Sequence, residues 1–372
     1  MKILMVTEYF PPHVGGVELV FEMLSKKFTE HGHQVQIITT NSPRSKEKFA
    51  HIHRITVPKI LERFLFMFLA IPTTVRLAKK SDLIQTTTLA AAFPAWIASK
   101  ITGKPCALMV HEFIGKRWHK LGINPIAAAL YRTLERLIFL PKFTHYSTIS
   151  KATEADLLEH IPSLKGKTGM IYHGVETKTP STKPPKQPNF TLSYFGRPGT
   201  TKGAHIFIQA LAIANKKLAA GQADSGHDQP IKAQMIMSKK PAAAHKNLLK
   251  LIAKLNLEEN IQVLPSTTRE KLFKILLTSH GIVIPSLTEG FGFSAVEACS
   301  LGLPIIASNS GSLPEVVYGK VILAETGNPQ DFARAILDLQ ANKWQEIPEK
   351  IFSWDKAAKS HIQLYTKLIA KN

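Results

Sequence analysis

Residues Thr288–Ser308 read TEGFGFSAVEACSLGLPIIAS. The apolar run Ile282–Pro285 just before them has the composition of a buried strand, and the spacing predicts a helix from about Ser294 to Leu301. Between strand and helix, Gly290 and Gly292 form a tight turn that lets several backbone N–H groups converge at the helix N-terminus. Such an end has the equivalent of about +0.5 charge and binds phosphate oxygens. The window therefore predicts an α/β unit with an anion site.

Two glutamates flank that helix N-terminus. Glu289 lies just before it and Glu297 lies within the helix. A carboxylate accepts two hydrogen bonds at once, which suits the neighbouring hydroxyls of a ribose or of a sugar ring. The pair indicates a nucleotide-sugar site. The alternative is two unrelated acids, since glutamate is common near helix N-termini.

A second window lies earlier in the same half of the chain. The predicted strand Thr191–Phe195 ends in FGRPGTTKG, which supplies Arg197 and Lys202. A planar guanidinium and a compact ammonium are what a pyrophosphate leaving group needs, because negative charge grows on its oxygens. Alone, this window is also compatible with a solvated basic turn. Two such windows in one half favour a ligand site.

The first half of the chain offers weaker candidates. Its opening loop, FPPHVGGVE, contains Gly15 and Gly16, which would let a ligand approach the backbone without a Cβ in the way. The predicted strand Ala107–Val110 delivers His111 at its carboxyl end, where ligands bind in open α/β sheets. Alone, His111 is compatible with an ordinary strand-end histidine.

Together these windows resemble the retaining glycosyltransferases of family 4, and the resemblance covers nearly the whole chain. It implies the GT-B fold, in which two Rossmann-like α/β domains flank an interdomain cleft. It also implies a nucleoside-diphosphate sugar as donor, an acceptor hydroxyl, retention of the anomeric configuration, and neither a metal nor another cofactor.

The same resemblance implies roles for individual residues. Glu289 would contact the donor sugar and Glu297 the nucleotide ribose, while the donor diphosphate would lie against two cations. The candidate catalytic residues are His111, Arg197, Lys202 and Glu289. The candidate donor-binding residues are Gly15, Gly16, Arg197, Lys202, Gly290, Phe291, Gly292, Phe293 and Glu297.

One loop departs from the family pattern. After the predicted strand Lys232–Met237 the family commonly has GxGP, whereas this chain has Ser238-Lys239-Lys240-Pro241. Because that loop borders the nucleotide, the base stays open among uracil, guanine and adenine. Other chemistry on the same fold, a sugar-nucleotide epimerase or a phosphorylase, also stays open.

Strand-like runs alternate with helical patterns along the chain, which indicates parallel sheets built from βαβ units. The proline-rich stretch 177–189, TKTPSTKPPKQPN, predicts an interdomain linker. We therefore expect an acceptor domain over 1–176 and a donor domain over 190–352. A last helix over 353–372 is expected to cross back to the N-terminal domain.

Composition narrows the class of protein. The chain has 372 residues, 47 Lys and Arg against 27 Asp and Glu, and a net charge of +20, but no nucleic-acid-binding motif. Its two cysteines and its histidines have no metal-ligand spacing, and no Asp-x-Asp occurs. Without a signal-peptide core or a 20-residue apolar span, we expect a cytoplasmic protein. A basic nucleic-acid-binding protein is the weaker alternative.

The acceptor is predicted from one basic, amphipathic tract. Lys116–Lys120 reads KRWHK, and the next predicted helix has Ile126 and Leu130 on one face and Arg132 and Arg136 on another. Such helices rest on anionic membrane surfaces. We expect a glycan or lipid-linked acceptor and a peripheral location on the inner face of the membrane. The alternative is that this apolar face packs into the domain core.

Overall fold

The computed structural model describes the chain except for residues 14, 42–50, 59, 121–122, 177–183 and 223–228. Its contacts form two compact units, the first of Met1–Gly174 with Phe352–Asn372 and the second of Val175–Ile351. The change of unit thus comes before the proline-rich stretch, of which 177–183 lies outside the described residues. Lys186 and Gln187 in that stretch bond to the carbonyls of Ser279 and Thr278, within the second unit.

The first unit is built on one parallel sheet. Its strands are β1 (Lys2–Val6), β2 (Gln34–Thr40), β3 (Ile52–Ile55), β4 (Leu83–Thr87), β5 (Cys106–Val110), β6 (His145–Thr148) and β7 (Thr168–Met170). The helices are α1 (Gly16–Glu30), α2 (Glu62–Leu69), α3 (Ile71–Ala78), α4 (Ala92–Thr102), α5 (Pro125–Leu137) and α6 (Lys151–His160). The strand order is β3-β2-β1-β4-β5-β6-β7. β5, CALMV, is buried at every position, as expected for a parallel strand covered on both faces.

The second unit repeats this architecture. Its strands are β8 (Thr191–Gly196), β9 (Lys232–Met237), β10 (Ile261–Pro265), β11 (Gly281–Ile284), β12 (Ile305–Ser308), β13 (Gly319–Ala324) and β14 (Gln345–Ile347). The helices are α7 (Ala204–Ala219), α8 (Ala242–Lys254), α9 (Arg269–Leu277), α10 (Phe293–Ser300), α11 (Leu313–Val316) and α12 (Pro329–Gln340). The strand order is β10-β9-β8-β11-β12-β13-β14, and only β14 pairs antiparallel within this sheet.

The C-terminal helix α13 (Trp354–Ala370) belongs to the first unit. It packs against α1, where Phe28 and Tyr365 meet with ring centroids 5.7 Å apart. The buried Tyr365 hydroxyl donates to the Gln85 side chain at 2.6 Å, so its burial leaves no unmet donor. The predicted return of the last helix to the N-terminal part of the chain is confirmed.

Each sheet has one place where the strand order reverses, between β1 and β4 in the first unit and between β8 and β11 in the second. Loops leaving the carboxyl ends of strands diverge there, and ligands of open α/β sheets bind at such switch points. The predicted doubly wound α/β fold is confirmed. Among the described residues, no helix combines the length and apolar character needed to cross a bilayer.

Candidate functional site

The switch point of the second unit brings together the two sequence windows. The loop after β8 contains Arg197 and Lys202, and the loop after β11 contains Glu289. The two loops are joined through their backbones, because the Leu287 N–H donates to the Thr201 carbonyl at 2.8 Å. Residues predicted from separate windows therefore lie at one edge of one sheet.

Lys202 and Glu289 form an ion pair at that edge. The Lys202 Nζ lies 2.9 Å from Oε1 and 2.7 Å from Oε2 of Glu289, so one ammonium bonds both carboxylate oxygens. The Glu289 side chain is 9% exposed and that of Lys202 is 35% exposed. A carboxylate this buried needs its cation, whereas the ammonium still reaches solvent and has a third N–H to donate.

Two glycines allow the chain to pass close behind this ion pair. Gly203 has φ +66°, and a Cβ there would lie 1.7 Å from the Pro285 carbonyl oxygen. Gly311 has φ +53°, and a Cβ there would lie 2.4 Å from the Glu289 carbonyl oxygen, which accepts from the Ser312 N–H at 3.1 Å. The backbones on both sides of the ion pair are therefore fixed by close packing.

We expect Gly203→Ala to lower the free energy of unfolding by about 1–3 kcal/mol, because it adds a backbone clash to the cost of a positive φ. Urea unfolding measures the change. Gly302→Ala is the matched control, since Gly302 has φ +69° but no atom within 4 Å of its Cβ position. Equal losses in the two variants would show that the contact with Pro285 contributes nothing.

Helix α10 begins at this edge. Its N-cap, Gly292, has φ +87° and provides no side-chain cap, so the amides of the first turn face away from the helix toward the loop. Just before it, Phe291 is buried and its ring centroid lies 5.0 Å from that of Phe293. These two rings fix the turn, and Gly290 and Gly292 leave the approach to the amides uncovered by side chains.

Glu297, in the second turn of α10, has a basic partner from another helix. Arg269 Nη2 lies 2.9 Å from Glu297 Oε1, and the Glu297 side chain is 18% exposed. Burial raises the pKa of Glu297, and the Arg269 guanidinium opposes this. No sequence pattern points to Arg269, because it begins a surface helix and meets Glu297 only through the fold.

Arg197 is exposed at the carboxyl end of β8. The Tyr194 hydroxyl donates to its carbonyl at 3.3 Å, and Gly196 pairs with Met237 in the sheet. The departing loop Ser238–Pro241 therefore leaves β9 directly beside Arg197. Lys239 and Lys240 in this loop are exposed. The edge is accordingly rich in cations.

The first-unit candidates lie at the carboxyl edge of the other sheet. Gly15 is the N-cap of α1 with φ −173°, which any residue can adopt, and Gly16 is the first residue of the helix. Part of the opening loop, residue 14, lies outside the described residues. A Cβ on Gly15 would meet the Glu18 carboxylate at 2.2 Å, so a side chain of the protein fills the space expected for a ligand.

His111 follows β5, and its ring centroid lies 5.7 Å from that of His173. Burial lowers the pKa of His111 to about 4, so the imidazole is neutral near pH 7. Its buried Nε2 has no hydrogen-bond partner among the described residues. A neutral imidazole with an unused nitrogen can accept or donate one hydrogen bond to a ligand.

Metal-ligand geometry does not occur in the described part of the chain, where no group of three His, Cys, Asp or Glu side chains could hold a metal ion. Cys106 and Cys299 are both buried and free, and burial raises the pKa of each thiol. They are packing residues rather than nucleophiles.

Family sequence models match both halves of the chain. The model described as "Glycosyl transferases group 1" matches residues 175–361, and "Glycosyltransferase Family 4" matches residues 14–179. The chain is 25% identical over 236 residues to an MMP alpha-(1->4)-mannosyltransferase from Mycolicibacterium hassiacum, covering 60% of this chain and 54% of that protein. It spans about half the length of the first curated relatives it matches.

A longer match joins the chain to one component of the phosphatidylinositol N-acetylglucosaminyltransferase from Arabidopsis thaliana. The two are 21% identical over 391 residues, covering 99% of this chain and 82% of that protein. Among solved structures, a sucrose-phosphate synthase from Thermosynechococcus elongatus aligns over 100% of both chains with a TM-score of 0.74 and 19% identity. That likeness concerns the fold.

Proposed function

The chain belongs to the glycosyl transferases of group 1, and from that premise we propose that it moves a sugar from a nucleoside-diphosphate sugar to an acceptor hydroxyl. The observation that carries this proposal is the bidentate Lys202–Glu289 pair beside the N-terminus of α10. It combines a cation for a phosphate with a carboxylate for sugar hydroxyls. The fold and the predicted family are those of known glycosyltransferases.

In this proposal the leaving group is stabilised by positive charge at the edge of the second sheet. Breaking the glycosidic bond puts negative charge on the departing diphosphate. Lys202 shares its ammonium between Glu289 and a phosphate oxygen, and Arg197 supplies a planar fork from the adjacent loop. The amides before and within the first turn of α10 add the helix dipole.

Sugar and ribose would be held by the two glutamates. Glu289 accepts from donor-sugar hydroxyls while Lys202 keeps it ionised, and Glu297 accepts from the ribose hydroxyls. The acceptor hydroxyl attacks from the face that the diphosphate leaves, which retains the anomeric configuration. Its proton passes to the departing phosphate, so His111 serves as a neutral hydrogen-bonding group rather than as a strong base.

We also propose that transfer needs no metal. Support comes from the sequence, which lacks Asp-x-Asp, and from the cations that already face the expected diphosphate. Activity should therefore survive removal of divalent ions by a chelator. Loss of turnover with EDTA that Mg²⁺ or Mn²⁺ restores would contradict this part of the proposal.

The acceptor is proposed to be lipid-linked, at an anionic membrane surface. The apolar face of α5 is exposed rather than packed into the core: Ile126 is 80% exposed and Leu130 55%. The acid of this helix, Glu135, is turned inward and accepts from the N–H groups of Ile114 and Gly115 at 2.8 and 2.7 Å. What α5 presents to solvent is apolar and cationic, as a surface-bound helix requires.

Helix α2 extends the same surface. Phe66 of α2 and Phe139, just after α5, belong to one core cluster with β5, so both helices cover the same sheet face. The residues on and just before α2 that are 48–82% exposed are Ile60, Leu61, Phe64, Phe68 and Leu69. Exposed apolar surface of this extent marks an interaction site. The Arabidopsis relative, named for phosphatidylinositol, supports a lipid acceptor.

We expect the double change of Ile126 and Leu130 to Glu to weaken binding to phosphatidylglycerol-containing vesicles by about 10-fold or more, since each side chain loses apolar burial worth about 1.5–3 kcal/mol. Co-sedimentation measures the loss. Leu249→Glu, at a 42% exposed leucine of the second unit, is the control. Equal binding of the native chain to neutral and anionic vesicles would remove the membrane proposal.

The function is tested in two steps. A thermal-shift screen with UDP, GDP and ADP identifies the nucleotide, because a ligand at about 100 times its dissociation constant adds about 2.7 kcal/mol to stability. The matching nucleotide sugar is then incubated with and without vesicles containing phosphatidylinositol. Release of nucleoside diphosphate that depends on the vesicles supports transfer. Conversion of the nucleotide sugar without an acceptor identifies an epimerase instead.

A further inference from the structure

Arg269 occupies a fixed position beside the carboxylate that the proposed function assigns to ribose. It is the first residue of α9, and its Nη2 lies 2.9 Å from Glu297 Oε1. The same nitrogen donates to the carbonyl oxygen of Glu176. Its guanidinium carbon lies 5.4 Å from the centre of the Phe273 ring, one helical turn along α9. Three different contacts thus orient one side chain before any ligand binds.

The contact with Glu297 uses a single oxygen. A carboxylate has about four lone-pair sites, so one bond from Arg269 leaves acceptor capacity for two hydroxyls. An unsupported glutamate in the second helical turn could turn about its side-chain bonds, and orienting it on ligand binding would cost conformational entropy. Arg269 removes that freedom in advance.

The electrostatic environment makes the same partner necessary. The Glu297 side chain is 18% exposed, and desolvation favours the neutral carboxyl group. A protonated carboxyl accepts poorly and would meet a ribose hydroxyl with one oxygen fewer. Arg269 is the cation whose field favours the ionised form.

We propose that Arg269 is a positioning residue for the nucleotide: it holds Glu297 ionised and oriented, so that this carboxylate distinguishes a ribose from a sugar that lacks the 2′-hydroxyl. This inference rests on the proposed function, which assigns the nucleotide to the second unit. Arg269 itself does not contact the reacting atoms. Its effect reaches the ligand through Glu297.

The contact with Glu176 connects this ribose site to the start of the second unit. Glu176 is the second residue of that unit. Because Arg269 bonds its carbonyl, the guanidinium is anchored to backbone as well as to the Phe273 ring. A lysine in its place would retain the charge, but it would lose the planar fork that allows two partners at once.

The test compares ribonucleotide and 2′-deoxyribonucleotide affinities. The probes are the diphosphate selected from UDP, GDP and ADP, its 2′-deoxy form, and inorganic pyrophosphate, each titrated by calorimetry. In the native chain we expect the ribose form to bind about 10- to 100-fold more tightly than the deoxy form, as for a hydrogen bond to a charged group. In Arg269→Met that preference should fall to within about 3-fold, with pyrophosphate affinity unchanged.

Two comparisons keep the outcome sharp. Arg269→Lys should keep part of the preference, and Lys274→Met, an exposed cation on the same helix, should keep all of it. An unchanged ribose preference in Arg269→Met would overturn the inference, and so would an equal loss for all three probes. If the native chain binds none of the three diphosphates, the proposed function fails instead, which is a separate result.

Discussion

We expect Arg197→Ala and Lys202→Ala each to lower kcat/KM for sugar transfer by about 10²-fold or more. Both side chains project from the loop after β8, beside the N-terminus of α10. Their charge matters most when the diphosphate leaves, because that is when negative charge grows on its oxygens. The loss should therefore appear mainly in kcat. The measurement is release of nucleoside diphosphate in the presence of acceptor vesicles.

The two variants should differ in stability. Lys202→Ala leaves the Glu289 carboxylate, 9% exposed, without the ammonium that bonds both of its oxygens, and this costs about 1–3 kcal/mol of unfolding free energy. Arg197 is exposed, so its removal should change stability far less. Arg197→Ala thus measures the chemical contribution in a chain that folds normally.

Lys343→Ala is the matched control, since Lys343 is exposed just after α12 in the same unit. It changes the net charge by the same amount and should leave turnover within about 2-fold, because an exposed charge distant from the reacting groups is screened. Near-native turnover in Arg197→Ala would contradict the proposed role of the basic loop.

The sequence predicted the fold because its strongest signals are local. β1, β5 and β9 begin and end where their apolar runs do. The predictions were weaker for short or edge strands. β3 and β14 have four and three residues and no fully buried position, so no apolar pattern marks them. Tertiary pairing defines such strands.

The candidate site was predictable where chemistry is concentrated in one window. The pair of windows around Lys202 and Glu289 predicted neighbours, and the structure joins them by two contacts below 3 Å. Arg269 was missed because its contact with Glu297 depends on how α9 lies beside α10. The roles of Gly15 and His111 stay predictions, since no ligand contact tests them. Sequence gives the residue types of a site more readily than their supports.

The first unit contains buried histidines that make its stability depend on pH. Burial lowers the pKa of His111 and of His145 to about 4 and that of His361 to about 3. The charge of His145 lowers the pKa of His361 further, and burial also holds the pKa of His173 well below its usual value. These imidazoles are neutral in the native state and must gain a proton in acid.

Lowering the pH from 8 to 5 should therefore destabilise the first unit. In the unfolded chain these histidines titrate near pH 6.5, so between about pH 6.5 and pH 4 the unfolded state binds more protons than the native state. Stability is retained above about pH 7 and falls as the pH drops through 6.5. Each histidine with a native pKa of about 4 contributes at most about 2 kcal/mol of loss at pH 5. Glu8 and Asp156 act in the opposite direction, because burial raises their pKa values.

Thermal unfolding at pH 8, 7, 6 and 5 measures the effect. At about 2–4 °C per kcal/mol for a unit of this size, we expect Tm to change little from pH 8 to 7 and to fall by about 8 °C or more at pH 5. His361→Gln removes one buried titrating group and should flatten the dependence, whereas His119→Gln, at an exposed histidine, should leave it unchanged. A Tm that stays constant down to pH 5 would mean that protons reach these imidazoles without opening the fold. Neutral burial would then be no part of what holds β5, β6 and α13 together.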